Sequence, residues 1–242
     1  MSVSLVVALD FPRAKDALAL AGQLRGLAPW MKVGLELFTA AGPPVVIALK
    51  DMGFKVFLDL KLHDIPNTVA GAVMSATRLG ADMTTLHHAG GKRMAQAALN
   101  AVNECGSAML PFAVTVLTSA SEAESGAAGS MAAFVAAKAK EAQDWGLPGV
   151  VCSGHEAAAV KAACGQDFLC LCPGIRLAGA GRDDQRRIMT PQEAVTAGAD
   201  FLVVGRPITA AAEPKNAAHA ILSSMNAGMR DPAYCGQAQS LP

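Results

Sequence analysis

The sequence predicts a (β/α)8 barrel in a single domain. Three observations carry that expectation. Eight short apolar, β-branched runs recur along the chain, helical patterns separate them, and the 242 residues come close to the ~250 typical of the fold. The runs cover residues 5–10, 31–35, 54–61, 83–88, 110–117, 149–153, 168–172 and 201–205. Most are near-continuous hydrophobic stretches, as expected of parallel strands covered on both faces. A doubly wound open sheet is the competing architecture. No close repeat or low-complexity linker divides the chain. One barrel domain is expected over residues 1–228, with a loosely ordered tail over 229–242 where Pro232, Gly236, Gln237, Gln239 and Pro242 fall.

The first run closes on Asp10. A helix over 14–26 then places Ala17, Leu18, Ala21 and Leu24 on one face, and Gly26 is its stop signal. The second run holds Lys32. The third is Phe54-Lys55-Val56-Phe57-Leu58, ending on Asp59-Leu60-Lys61, and the fourth ends on His87-His88. After the fifth come Thr118 and a Ser/Gly/Ala-rich stretch over 119–130, long for a barrel turn, which reads as a lid or as linker-like slack. His155 and Glu156 start a helix expected at the surface. The seventh run leads to Pro173-Gly174-Ile175-Arg176 and then to a glycine-rich loop over 178–182. Thr190-Pro191-Gln192-Glu193 has the capping-box pattern with proline at the first helical position, and Gly198 closes that helix before the last run. The eighth run ends on Gly205-Arg206.

Composition excludes several function classes. Formal net charge is zero and the charges are spread along the chain, so the clustered basic excess of a nucleic-acid surface is missing. Aromatic residues make up 5% of the chain, too few for base-stacking platforms. The start, Met1-Ser2-Val3-Ser4-Leu5, lacks a basic segment and its apolar run is short for a signal peptide. No stretch approaches the roughly 18 apolar residues of a membrane span. The six cysteines show no CxxC spacing, and Cys152, Cys170 and Cys172 lie in apolar runs where cysteine behaves as a small hydrophobe. Reduced thiols in a cytoplasmic protein are expected.

In a barrel of this class, chemistry gathers at the C-terminal ends of the strands. Here those ends collect Asp10, Lys32, Asp59, Lys61, Asp64, Arg176 and Arg206. Residues i and i+2 of a strand share a face, so Asp59 and Lys61 leave the sheet side by side toward the interior. Burying such charges is costly unless they are paired. An ion pair plugging the barrel mouth would explain two of them. Four interleaved charges, Lys32, Asp59, Lys61 and Asp64, exceed what a plug requires, and alternating signs suit a lysine that donates a proton beside a carboxylate that stays anionic. Gly205-Arg206 and the loop over 178–182 match the phosphate-binding position after strands seven and eight, or are an ordinary loop with a solvated arginine. His87 and His88 are adjacent on a strand and point to opposite faces, so they do not chelate one ion together, and no HxH, HxxxH or HExxH pattern occurs. No metal or cofactor is expected. His63 is read as orienting or structural.

With these residues placed, the chain resembles the orotidine 5′-phosphate decarboxylases, from Leu5 to about Ile208. The hallmark is D-x-K-x-x-D-I-P-x-T, here Asp59 to Thr68 without departure. Supporting matches are Val7-Ala8-Leu9-Asp10, Lys32-Val33-Gly34, Pro173-Gly174-Ile175-Arg176, Asp184-Gln185-Arg186-Arg187 and Val203-Val204-Gly205-Arg206-Pro207-Ile208. The three-charge core alone is shared with related sugar-phosphate barrels.

The resemblance implies cofactor-independent decarboxylation of orotidine 5′-monophosphate (OMP) to UMP and CO2, the last step of UMP synthesis. Lys61 would protonate C6 of the pyrimidine and Asp59 would sit beside the departing carboxylate. Lys32 and Asp64 would complete a charge row, in a homodimer where Asp64 and Thr68 reach the partner's site. Asp10 and Lys32 would contact the ribose, Thr118 would lie near the pyrimidine, and Gln185, Gly205 and Arg206 would hold the phosphate. Ile65, Pro173 and Arg176 belong to the implied ligand-binding set. The alternatives are a metal-dependent sugar-phosphate decarboxylase or aldolase of the same superfamily, and a non-catalytic barrel that binds a phosphate ligand.

Overall fold

Strand β1 (Ser4–Ala8) is followed by β2 (Trp30–Gly34), β3 (Lys55–Leu62), β4 (Met83–His87), β5 (Leu110–Val114), β6 (Gly149–Val151), β7 (Leu169–Cys172) and β8 (Phe201–Val204). They pair in parallel in that order, and β8 returns to β1, closing the barrel. The computed structural model describes residues 3–120, 122–127, 129–177 and 188–230. Among these, the helices are α1 (Ala14–Gln23), α2 (Leu35–Ala41), α3 (Pro43–Asp51), α4 (Pro66–Arg78), α5 (Gly91–Glu104), α6 (Glu122–Ser125), α7 (Met131–Asp144), α8 (Gly154–Cys164), α9 (Pro191–Thr196), α10 (Arg206–Thr209) and α11 (Pro214–Met229). None is long and apolar enough to cross a membrane. The closed, parallel barrel rules out the open sheet. The expected tail falls almost wholly on residues 231–242, outside the described residues.

Period-two alternation divides the apolar residues into two layers. Val6, Trp30, Phe57, Met83, Phe112 and Val203 point inward and fill the barrel. The rings of Trp30 and Phe112 each meet Phe201 edge-on, at 5.5 and 6.0 Å between centroids. Leu5, Val7, Met31, Val33, Val56 and Leu58 point outward and pack under the helices. Gly149 is required by this packing, because a Cβ there would collide with the Leu169 carbonyl and the Phe112 ring.

The end of the barrel where the strands begin is fixed by one device used twice. Asp82, just before β4, accepts from Lys50 Nζ at 2.6 Å and from the Val56 N–H at 2.7 Å. Asp200, just before β8, accepts from Lys161 Nζ at 2.8 Å and from the Cys170 N–H at 2.7 Å. Each carboxylate thereby ties a helix to two adjacent strands.

The structure amends three local expectations. β5 ends at Val114, short of residue 117, so Thr118 stands in the following loop. In α1 the buried positions are Ala17, Leu20 and Ala21, and Leu24 just beyond its end is buried too, whereas Leu18 is only partly buried at the edge of that face. Glu156 is buried, since its carboxylate turns back to accept the Ser153 N–H at 2.7 Å and closes a capping box on α8. The capping box at Thr190 and the glycine stop at Gly198 are both present.

Candidate active site

The C-terminal mouth of the barrel opens into a cavity of about 540 Å³. Its walls carry Asp10, Lys32, Asp59, Lys61, Thr118, Pro173, Arg176, Gly205 and Arg206. Nine of the residues singled out in the sequence are thus brought together from six of the eight strand ends.

A row of alternating charges crosses the floor. Lys32 Nζ donates to Asp10 Oδ1 at 2.9 Å and lies 3.7 Å from Asp59 Oδ2. Lys61 Nζ lies 2.8 Å from both carboxylate oxygens of Asp59. Lys32 and Asp59 are each only 8% exposed, so the pairing takes place largely out of water. Burial pushes the Asp59 carboxyl up. The charges of Lys32 and Lys61, with hydrogen bonds from Lys61 and Thr85, outweigh it and hold the group below the usual carboxylate range. The slot for Lys32 depends on Gly34, which is in register with Asp59. A Cβ on Gly34 would lie 2.7 Å from Lys32 Nζ and 3.3 Å from Asp10 Oδ1.

Asp59 and Lys61 meet as the strand rule requires, but not on a regular strand. The β3–β4 register shifts between Leu58 and Leu62, and Lys61 has φ +49°, the left-handed region. Among the described residues it is the only non-glycine with positive φ. Thr85, buried on β4, contacts both ends of this irregularity and escaped the sequence reading. Its signal was available, because Met83, Thr85 and His87 alternate to the inner side of β4.

His87 lies beside the row with its ring 5.5 Å from that of His63. Burial lowers its pKa, with further lowering from His63 and Lys61 and an opposing effect of Asp59. His88 turns the other way and stacks on Trp145 at 4.6 Å. The divergence expected of the two adjacent histidines is present. His88 Nε2 lies 3.2 Å from Glu141 Oε2, but the angle makes no hydrogen bond. Among the described residues no group of three or more His, Cys, Asp or Glu could hold a metal ion.

Arg176 is buried, its Nη1 donating to the Ile175 carbonyl at 3.0 Å, and its N–H donates to the Met189 carbonyl at 3.0 Å. Arg206 lines the same cavity from the end of β8, beside Gly205, on the strand next to β7. Asp64, Ile65 and Thr68 do not line this cavity. They are exposed on the turn into α4, where Asp64 Oδ1 accepts the Ile65 N–H at 2.7 Å. Gln185 and the loop over 178–182 lie outside the described residues.

Comparison with known proteins places this geometry. The profile of the orotidine 5′-phosphate decarboxylase / HUMPS family matches residues 4–221. An orotidine 5′-phosphate decarboxylase of Nitratidesulfovibrio vulgaris (strain DP4) is 59% identical over 232 residues, covering 93% of this chain and 99% of that protein. One from Cutibacterium acnes is 47% identical, covering 93% and 97%. The crystal structure of orotidine 5′-phosphate decarboxylase from Lactobacillus acidophilus superposes with a TM-score of 0.78 at 37% identity, covering 93% of this chain and all of that one. With the barrel, the charge row and the D-x-K-x-x-D-I-P-x-T string in place, the chain belongs to the orotidine 5′-phosphate decarboxylase / HUMPS family.

Proposed function

We propose that this barrel is a carboxy-lyase that converts OMP to UMP and CO2, with Lys61 as the proton donor to C6. The single observation that carries the reading is the Asp10–Lys32–Asp59–Lys61 row, closed at 2.8–3.7 Å in the floor of the cavity. Loss of CO2 leaves negative charge on a ring carbon that delocalises it poorly. Enzymes lower barriers by about 8–23 kcal/mol, and this step needs the upper part of that range. An ammonium aimed at C6 interacts more strongly with the carbanion than with the neutral ring carbon, and that difference accelerates the step. The electron pair left by C–C cleavage stays on C6 and takes up a proton from Lys61 Nζ.

Asp59 has two parts in this scheme. It orients Lys61 through both carboxylate oxygens, and it faces the substrate carboxylate. Two like charges ~4 Å apart repel by roughly 4 kcal/mol at an effective dielectric of 20. Lys32 and Lys61 offset part of that repulsion in the ground state, and it is relieved as CO2 departs. Asp10 and Lys32 hold the ribose, Thr118 the pyrimidine, and Gly205, Arg206 and Gln185 the phosphate. Gripping the remote dianion supplies binding energy for desolvation and orientation at the reacting carbon.

Asp64 and Thr68 serve the neighbouring site in a homodimer. Their exposure next to Ile65, itself 66% exposed, supports this arrangement. The buried free thiols of Cys152, Cys170 and Cys172 support a cytoplasmic setting.

The test is the absorbance of OMP mixed with purified protein in EDTA. Decay to the UMP spectrum is expected. A requirement for Mg²⁺ would point instead to a sugar-phosphate relative, and binding without turnover to a non-catalytic barrel.

A further inference from the structure

The β3–β4 ladder skips where the site is built. Phe57 pairs with Met83 and Leu58 with Thr84, but the next pairing is Leu62 with Leu86. β3 thus takes four residue steps where β4 takes two. A bulge of this kind removes ladder partners from backbone groups and re-aims side chains. Lys61 lies inside it at φ +49°, a conformation that a non-glycine residue holds only where its surroundings impose it.

Two threonine hydroxyls replace the missing ladder. Thr84 Oγ1 donates to the Leu58 carbonyl at 3.0 Å, on the helix side. Thr85 Oγ1, on the cavity side, accepts the Lys61 N–H at 3.0 Å and donates to Asp59 Oδ1 at 2.8 Å. One hydroxyl can do both, since it carries one donor and two acceptor lone pairs. Thr85 is fully buried, so water does not stand in for it.

We propose that Thr85 is a positioning residue: its hydroxyl fixes the main chain of Lys61 and the carboxylate of Asp59 together, aiming the ammonium before substrate arrives. This rests on the decarboxylase reading. A lysine side chain is flexible, and its reach to a defined point depends on an anchored backbone and a fixed counter-charge. Thr85 supplies the first directly and the second through Asp59. The groups facing Asp59 are Lys32 from β2, Lys61 from β3, and Thr85 and His87 from β4, with Asp10 behind Lys32. Among these Thr85 is an uncharged donor, and its hydrogen bond favours the ionised carboxylate.

The experiment is Thr85→Val, which keeps the shape and removes the hydroxyl, beside Thr85→Ser, which keeps the hydroxyl and removes the methyl. In T85V, kcat for OMP is expected to fall about 10–100-fold, the scale of a hydrogen bond to a charged group. The acid limb of its pH profile should move to higher pH, because an Asp59 without this donor protonates more readily. T85S should restore both. Carboxyl NMR of Asp59 reads the same displacement without substrate, so the tether is tested even if the wild-type protein proves inactive on OMP, a result that would overturn the decarboxylase reading alone. An unchanged kcat and acid limb in T85V, or equal losses in T85S and T85V, would overturn the proposal. If T85V does not accumulate as folded protein, Thr85→Cys, a far weaker donor and acceptor, is read against the same two outcomes.

Discussion

Lys61 Nζ bridges both oxygens of Asp59 at 2.8 Å from a backbone position that is not regular strand. The pair is therefore a product of the bulge as much as of the sequence spacing. Burial disfavours the charge on this carboxylate, and the two lysines in reach outweigh that effect. The field at the barrel mouth is set before any ligand enters.

Arg206 should matter only when the substrate carries a phosphate. It lines the cavity wall at the end of β8, on the far side of the row from Lys61. Arg206→Ala is expected to lower kcat/KM for OMP by about 100-fold or more, the cost of removing one partner of a desolvated charge pair. Turnover of the phosphate-free nucleoside orotidine should stay within a few-fold of wild type. Equal losses on both substrates would make Arg206 structural.

Gly34 should be intolerant for a reason unrelated to backbone strain. Its added Cβ would stand 2.7 Å from Lys32 Nζ, so the ammonium must move. Gly34→Ala is expected to reduce kcat by about 10–100-fold, as misplacements of ~1 Å at a reacting centre do. The thermal midpoint should change little, because the displaced atom ends a flexible side chain. Wild-type turnover in G34A would mean that Lys32 need not occupy its slot.

Lys161 tests the opposite end of the barrel. Its buried ammonium donates to the Gln166 and Phe168 carbonyls and to Asp200. Lys161→Met leaves the half-buried Asp200 without its counter-charge and should cost about 1–3 kcal/mol near neutral pH. Burial already raises the Asp200 carboxyl, with Lys161 opposing, and the variant removes that opposition. A carboxyl raised in the folded state takes up its proton at a pH where the unfolded chain is still ionised. The deficit should therefore shrink as pH falls toward the unfolded value of about 3.9. Urea unfolding of K161M at neutral and mildly acid pH reads this directly, and a deficit that does not vary with pH would contradict it.

The eight strands were legible because parallel strands covered on both faces are apolar throughout, and the charges stand out where those runs end. Asp59 and Lys61 could be assigned to one face by counting residues. Lys32 and Asp10 could be placed at the same mouth from strand order alone. The bulge was not legible: nothing in Leu58-Asp59-Leu60-Lys61-Leu62 announces that β3 will take four steps against two of β4, since register is settled between strands. Thr85 was missed although strand alternation places it inward with Met83 and His87, because a threonine inside an apolar run reads as part of the core. Glu156 was misplaced because a capping carboxylate looks like a surface charge until the helix start is known. Asp64 joined the charge row by spacing, and among the residues that line the cavity neither it nor Thr68 appears, since both are exposed where α4 begins.

The ammonium of Lys61 is expected to act on the transition state and not on binding. Turnover of OMP by Lys61→Ala, measured beside its affinity for UMP by calorimetry, tests it most directly. The expected result is a loss of about 10²–10⁴-fold or more in kcat with UMP still bound by a folded protein. Wild-type turnover in that variant would remove Lys61 from the proton-donor role and contradict the account.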